Sequence, residues 1–459
     1  MFPEGFIRRS SNQEYVDAEA LLRALEEPSP VSIRINSRKW NRKPLNSEPV
    51  PWAENGYYLK SRPSYTPDPL FHAGCYYPQE ASSMFIEQVF RMLVKTSEPI
   101  RVLDLCGAPG GKSIIIADML SPESLLVANE VIKSRASVLA ETLTKWGTGN
   151  TIVTQSDPSS FSRFDGYFDI ILVDAPCSGE GMFRTEVARN EWSESNADHC
   201  SERQKRILID VWPSLKEDGV LIYSTCTFNP GENEENIKWL IDKQKAESAE
   251  LNISGFIGIK EIDYQGIKGY GFYPDKIRGE GFFISLIRKT QKQGVSASGK
   301  NKIADFKPVR NELQTVRKWT GLPDDRLLKW GEDIWCLPCS LENYIKLFQN
   351  LRIIKAGTNI CTVKNEDYLP SHELVLSDLL SSGIFPSLEL NYEESIAYLR
   401  RDNVPPKTGQ QGWTMVKYMG INIGWVKNLS KRMNNYYPVE WRIRMDIPQS
   451  GDSKLISWD

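Results

Sequence analysis

Residues 103–113 read LDLCGAPGGKS: an apolar run closing on an acid, then a turn of Gly and Pro, then the first residues of a helix. Glycines in such a turn let the backbone approach a ligand, and the free amides at the helix start bind negative groups. Outward from this loop the same rhythm repeats. Apolar runs at 100–106, 125–130, 151–155, 168–176 and 220–226 alternate with helical patterns at 113–120, 134–146, 202–215 and 232–243, and a late strand is predicted over 282–288. Strands alternating with helices imply a parallel sheet. The predicted class is therefore α/β, a doubly wound, Rossmann-like domain ending near residue 288.

The loop itself has two readings. Gly111-Lys112-Ser113 matches the end of a phosphate-binding P-loop, but that motif needs a glycine five positions before Gly111, where Cys106 stands. A nucleoside cofactor without a triphosphate fits better. Glu130 ends the next strand, where a carboxylate can accept both ribose hydroxyls, and Asp157 follows the third strand, within reach of an adenine edge. Either acid alone reads equally well as a solvated turn residue. Three features at successive strand ends weigh against that, because ligands of open α/β sheets bind at the carboxyl ends of the strands.

The chain has 459 residues, enough for more than one domain, and its 56 Lys and Arg against 59 Asp and Glu give a net charge of -3. Only the local distribution of that charge bears on a polyanionic partner. The first ten residues lack an apolar stretch of signal-peptide length and no run of 18 apolar residues occurs, so neither secretion nor membrane insertion is expected. Eight cysteines are too sparse for a disulfide framework, so any with a role is expected to act as a thiol in the cytoplasm. Residues 1–70 form an expected accessory subdomain, with a helical pattern at 15–25 and a strand-like run at 31–36. The catalytic domain is expected over 71–288 and a polar linker over 289–303. A mixed α+β region follows at 304–386, and a small β-rich unit at 387–459.

Two cysteines stand directly past strands. The fourth strand runs into Asp174-Ala175-Pro176-Cys177-Ser178-Gly179-Glu180-Gly181 and the fifth into Ser224-Thr225-Cys226-Thr227-Phe228-Asn229-Pro230-Gly231-Glu232. If those strands are neighbours, both thiols face the crevice of the glycine loop. A thiolate there can add to an unsaturated ring. Carbon 5 of cytosine is a poor nucleophile toward a methyl sulfonium until a group adds at carbon 6, and a nearby acid can steady the ring nitrogen. Cys75, Cys200 and Cys361 read instead as buried packing residues.

Together, residues 103–113, 174–181 and 224–234 resemble the cofactor loop, Pro-Cys motif and Thr-Cys motif of RNA 5-methylcytosine methyltransferases, the family that includes the Nop and Sun proteins. HAGCYYPQEASSM at 72–84 and KIRGEGFF at 276–283 resemble that family's opening and closing segments. The resemblance implies a class I methyltransferase fold with S-adenosylmethionine as cofactor. It places the cofactor on Cys106, Gly107, Ala108, Pro109, Gly110, Gly111, Lys112, Glu130, Arg135, Asp157 and Asp174. It also implies Cys226 as nucleophile, Cys177 as the thiol that helps release the methylated base, and Asp174 as serving cofactor and base together. One departure is Asp275, where many members carry His.

From 400 to 445 the chain carries nine Lys or Arg (Arg400, Arg401, Lys407, Lys417, Lys427, Lys431, Arg432, Arg442, Arg444) against Asp402 and Glu440, interleaved with Trp413, Tyr418, Trp425, Tyr436, Tyr437 and Trp441. Cations neutralise phosphates and aromatic faces stack on unpaired bases, so this mixture suits RNA; the same aromatics also suit the core of a small β domain. The stretch 413–444 resembles the PUA-like tail of RsmF-type bacterial ribosomal methyltransferases. That implies 16S ribosomal RNA near the decoding site as substrate, with the 30S subunit as the expected partner. Transfer RNA as substrate and a catalytically silent RNA-binding assembly factor are the alternatives. Cys336-Leu337-Pro338-Cys339 invites a redox pair or, with Cys361 and His372, a zinc site. No second close ligand pair and no thioredoxin-like unit accompanies it, so no metal is expected.

Overall fold

A computed structural model describes residues 1–94, 98–291, 308, 310–338, 345–365, 367–402, 411–445 and 454–459. The apolar runs become five parallel strands: β1 (Arg101–Asp104), β2 (Leu125–Asn129), β3 (Thr151–Thr154), β4 (Phe168–Asp174) and β5 (Leu215–Thr225). Between and after them lie α1 (Gly111–Met119), α2 (Lys133–Trp146), α3 (Glu194–Val211) and α4 (Glu234–Gln244). Side chains alternate across the sheet. Val102, Ile170 and Leu172 pack into one core layer, while Leu103, Ile171 and Val173 pack into the other, so both faces are buried.

Strand order carries the functional consequence. β1 lies between β2 and β4, so the chain runs outward through β2 and β3, then returns to the other side of β1. That reversal opens a crevice at the carboxyl ends of β1 and β4, the ends that carry the glycine loop and Asp174. Beyond β5 the sheet turns antiparallel through β6 (Lys260–Tyr264), β7 (Ile267–Phe272) and β8 (Phe282–Arg288), in the order β6-β7-β8-β5.

Several boundaries differ from the sequence pattern. The helix expected at 202–215 is α3, which begins at Glu194 behind the Ser193 N-cap, because its polar first half faces solvent and shows little apolar period. β5 starts at Leu215 rather than near 220. A strand from the middle region, β9 (Ile353–Ala356), pairs antiparallel with β3 and extends the central sheet, so this region is built onto the catalytic core. The amino-terminal residues form two helices, Glu4–Ser11 and Ala18–Glu26, and an antiparallel sheet of Val31–Ile35, Glu48–Pro49, Gly56–Leu59 and Tyr76–Pro78. Phe2, Phe6, Leu21 and Leu25 pack with Phe183, Trp192 and Phe228, so the first helices sit against the Pro-Cys and Thr-Cys loops.

At the other end, Gly412–Tyr418, Ile421–Asn428 and Met433–Asn435 form an antiparallel meander, joined in parallel by Ser387–Glu389. Its core is shared with the amino-terminal sheet: Ile33, Ile35 and Tyr76 pack in one cluster with Tyr398, Val416 and Tyr437. The expected polar linker lies almost wholly outside the described residues, as do Cys339 and Lys407.

Candidate active site

Six turns and loops converge on one cavity of about 350 Å³. One wall is the glycine loop. Gly110 has φ of 117°, a left-handed conformation that a side chain rarely adopts, and a Cβ there would lie 2.7 Å from Thr142 Cγ2. At Gly107 a Cβ would lie 3.0 Å from Ser113 Oγ and 3.2 Å from Asp104 Oδ2. Beneath the loop Asp104 is fully buried, receives a hydrogen bond from Ser113 Oγ at 2.6 Å on Oδ2, and leaves Oδ1 without a partner among the described residues. Burial raises its carboxyl from 3.8 to about 7.

Cys106, Gly107, Ala108, Pro109, Gly111 and Lys112 line the cavity, and Asp174 and Cys226 line it from the neighbouring strands. Lys112 Nζ donates to Asp174 Oδ2 at 2.8 Å, and Ser224 Oγ donates to Oδ1 at 2.8 Å. Burial opposes the Lys112 charge, but the Asp174 carboxylate outweighs it and holds the amine above the usual lysine range.

The register of β4 and β5 pairs Asp174 with Ser224, and this brings the two thiols together. Cys177 Sγ lies 3.2 Å from Cys226 Sγ and accepts the Cys226 amide at 3.4 Å. That separation is far above a disulfide bond length, and both are free thiols. The hydrogen bond to Cys226, reinforced by burial, holds the Cys177 thiol well above the usual range, so it keeps its proton.

Glutamates brace the two loops. Glu232, fully buried, accepts from the Ser178 amide at 2.9 Å, Gln204 at 3.0 Å and Asn229 at 3.2 Å, tying the Pro-Cys turn to the Thr-Cys turn. Glu180 accepts from Arg9, from Trp192 Nε1 at 3.0 Å and from the Phe228 amide at 3.2 Å, which brings the first helix into the support of the site. Gly181 donates to Cys226 O at 2.8 Å; a Cβ there would meet Gly281 O at 2.6 Å and Cys226 O at 2.8 Å, both backbone.

Other expected site residues stand around the cavity without lining it. Glu130 is buried at the end of β2, accepts from the Ile132 amide at 3.0 Å and faces Arg135 at 3.5 Å. Arg135 in turn donates to Ala108 O at 2.9 Å, bracing the glycine loop. Asp157 sits past β3 but faces solvent, where it caps the short helix Pro158–Arg163 by accepting from the Ser159 amide at 3.0 Å. The loops after β1, β2 and β3 are tied by Asn129, which donates to Leu105 O and Ser156 O and accepts from Thr154 and Ser156.

Asp104, Tyr77, Gln79, Glu80, Met182, Glu280 and Phe282 also line the cavity. Sequence reasoning assigned none of them a role, although Tyr77, Gln79 and Glu80 fall in the 72–84 segment and Glu280 and Phe282 in the 276–283 segment that resemble the family. Asp104 carried a signal, as the acid closing the strand before the glycine turn. Asp275 lies outside the lining and pairs with Lys276 at 3.0 Å. Among the described residues, no group of three or more His, Cys, Asp or Glu gathers as a metal site, and no helix is long and apolar enough to cross a membrane. Cys336 and Cys361 are buried in the middle region, and burial lifts both thiols to about 12.

This geometry has close parallels. A family profile described as 16S rRNA methyltransferase RsmB/F matches residues 91–288, another for the N-terminal domain of 16S rRNA methyltransferase RsmF matches 2–81, and a third for the methyltransferase RsmF PUA domain matches 385–443. The ribosomal RNA small subunit methyltransferase F of Klebsiella pneumoniae (strain 342) is 30% identical over 469 residues, covering 96% of each chain. The chain belongs to the ribosomal RNA small subunit methyltransferase F family. The protein of that name from Escherichia coli O127:H6 is likewise 30% identical over 96% of each chain. Among solved structures, a methyltransferase homologue from Pyrococcus horikoshii is 29% identical with a TM-score of 0.53, covering 63% of this chain and 95% of that one. The NSun6 of Pyrococcus horikoshii with SFG, at 22% identity, TM-score 0.51 and coverage of 63% and 99%, bears on the fold alone.

Membership of the family makes the fold that of a Rossmann-like S-adenosylmethionine-dependent methyltransferase carrying a PUA domain, and S-adenosylmethionine is its cofactor. The residues present suit that cofactor. Asp104 Oδ1 is an unpaired buried acceptor for an ammonium, the glycines leave backbone open to a ligand, and Glu130 is a buried carboxylate at the next strand end.

Proposed function

We propose that this protein transfers the methyl group of S-adenosylmethionine to carbon 5 of a cytosine in 16S ribosomal RNA near the decoding site, acting in the cytoplasm on the 30S subunit. The observation that carries the chemistry is the pair of thiols 3.2 Å apart, one of which lines the same cavity as the glycine loop and Asp174. A methyltransferase acting on oxygen or on an exocyclic amine needs no such pair, because its target is already nucleophilic. The relatives named for small-subunit ribosomal RNA and the PUA domain match support the substrate.

When bound, S-adenosylmethionine supplies an electrophilic methyl on its sulfonium. Residues 106–112 would hold its amino-acid end, with Asp104 facing the ammonium; Glu130, with Arg135 beside it, would hold the ribose, and Asp157 the adenine edge. The target base would leave its helix to enter the cavity. Cys226, as thiolate, adds to carbon 6, forming a C–S bond and pushing electrons toward carbon 5. The hydrogen-bonded Lys112–Asp174 pair, with Ser224 on the other carboxylate oxygen, would pass a proton to the ring nitrogen as charge develops there and recover it when Cys226 leaves. After methyl transfer, loss of the carbon 5 proton to a base lets the ring electrons reform the 5,6 double bond and expel Cys226. Cys177, protonated and in contact with the leaving sulfur, assists that departure.

The test is to incubate the protein with labelled S-adenosylmethionine and 30S subunits, naked 16S RNA or transfer RNA, then digest to nucleosides. Label in 5-methylcytidine from 16S RNA is the expected result. Label in transfer RNA alone overturns the substrate, and label on ribose or another base overturns the chemistry.

A further inference from the structure

Most polar side chains on the cavity wall are satisfied by the protein. Lys112 pairs with Asp174, and the Glu80 carboxylate receives the Ser82, Ser83 and Glu280 amides at 2.7, 2.8 and 2.9 Å. Gln79 is different. Only 7% exposed, it reaches Ser83 Oγ through Nε2 at 3.5 Å, while Oε1 is buried with no partner among the described residues. Its main chain is pinned to the strand Val31–Ile35, donating to Ser32 O at 3.2 Å and accepting from Ser32 Oγ at 2.5 Å, so the side chain is delivered from a rigid element. Its Nε2 packs against the glycine loop, where a Cβ on Gly111 would stand 3.3 Å away.

A buried acceptor without a donor destabilises the protein, and such a group on a cavity wall is matched when a ligand supplies the donor. The ammonium of the cofactor already has a counterpart in the Asp104 carboxyl. An uncharged amide oxygen suits a neutral donor, and the target base carries one beside its reacting carbon. We propose that Gln79 Oε1 accepts a hydrogen bond from the exocyclic 4-amino group of the target cytosine, making Gln79 a specificity-determining residue. Uracil presents a carbonyl at that position, which would set two acceptors against each other. This inference rests on the cytosine carbon 5 reading above.

The test uses 16S RNA carrying 5-fluorocytidine or 5-fluorouridine, naked and reconstituted into 30S subunits. Fluorine replaces the carbon 5 proton whose loss expels Cys226, so the adduct persists and can be timed on a denaturing gel. Wild-type protein should trap 5-fluorocytidine RNA at least about 100-fold faster than 5-fluorouridine RNA. Gln79→Leu should slow trapping of the cytidine RNA about tenfold, the size of one lost neutral hydrogen bond, and narrow the preference by the same factor. Its S-adenosylmethionine affinity by calorimetry should stay within about twofold, and Gln79→Glu, which keeps an acceptor, should retain the preference for cytidine. An unchanged preference in Gln79→Leu, with or without weaker cofactor binding, overturns the proposal. Wild-type protein that traps neither RNA overturns the cytosine reading instead.

Discussion

Two thiols lie in contact, one on the cavity wall and one behind it, and in the proposed mechanism they divide the work of forming and breaking a bond to the base. Cys226→Ala is expected to abolish methyl transfer. Cys177→Ala is expected to methylate once and then accumulate a protein–RNA adduct stable to denaturant, seen as a shifted band; free turnover without adduct would remove its release role. Asp104 gives a second residue-level expectation. Burial raises its carboxyl from 3.8 to about 7, so the folded protein binds a proton there that the unfolded chain has released. Its contribution to stability is full below about pH 4 and is lost as pH rises through about 7. A cofactor ammonium needs the carboxylate, so S-adenosylmethionine should bind more tightly as pH rises through about 7, releasing a proton. Asp104→Asn should flatten both slopes in melting and calorimetric titrations, and equal slopes in wild type and variant would contradict this role.

At the scale of elements, the site depends on how closely turns approach one another. Gly181→Ala would place a methyl 2.6 Å from Gly281 O and 2.8 Å from Cys226 O, neither of which can swing aside. Turnover is expected to fall more than about tenfold while cofactor affinity holds, because the displaced group is the Cys226 turn and not the glycine loop. The strand ends of this architecture were legible from sequence, since each buried run with its Gly or Pro turn is local information. The braces were not. Glu180 and Glu232 read as ordinary acids in Gly-rich turns, and their burial follows from partners far along the chain, Arg9 and Gln204. The helix Glu4–Ser11 escaped notice for the same reason: it is short and is held by Phe6 against Phe183, 4.9 Å between ring centroids, rather than by its own period.

On the scale of the whole molecule, the amino-terminal layer is the mortar between the catalytic domain and the carboxy-terminal unit. Its helices back the cysteine loops, its last strand leads into the cavity wall at Tyr77 and Gln79, and its other side shares a core with the PUA domain. The basic aromatic region divides into core and surface. Trp425 and Tyr437 are core, whereas Tyr436, Lys431, Arg432, Arg442 and Arg444 are exposed and Lys427 lies over Trp413 at 5.5 Å. Reversing Lys427, Lys431 and Arg432 to Glu should weaken RNA binding and lower the slope of log affinity against log salt by about 2 to 3. An unchanged slope would place the phosphate contacts elsewhere. The most direct test of the central claim is bisulfite sequencing of 16S ribosomal RNA from cells with the gene, without it, and complemented with wild type or Cys226→Ala. A protected cytosine should vanish on deletion and return only with the wild-type chain. The same cytosines protected in all four strains would contradict it.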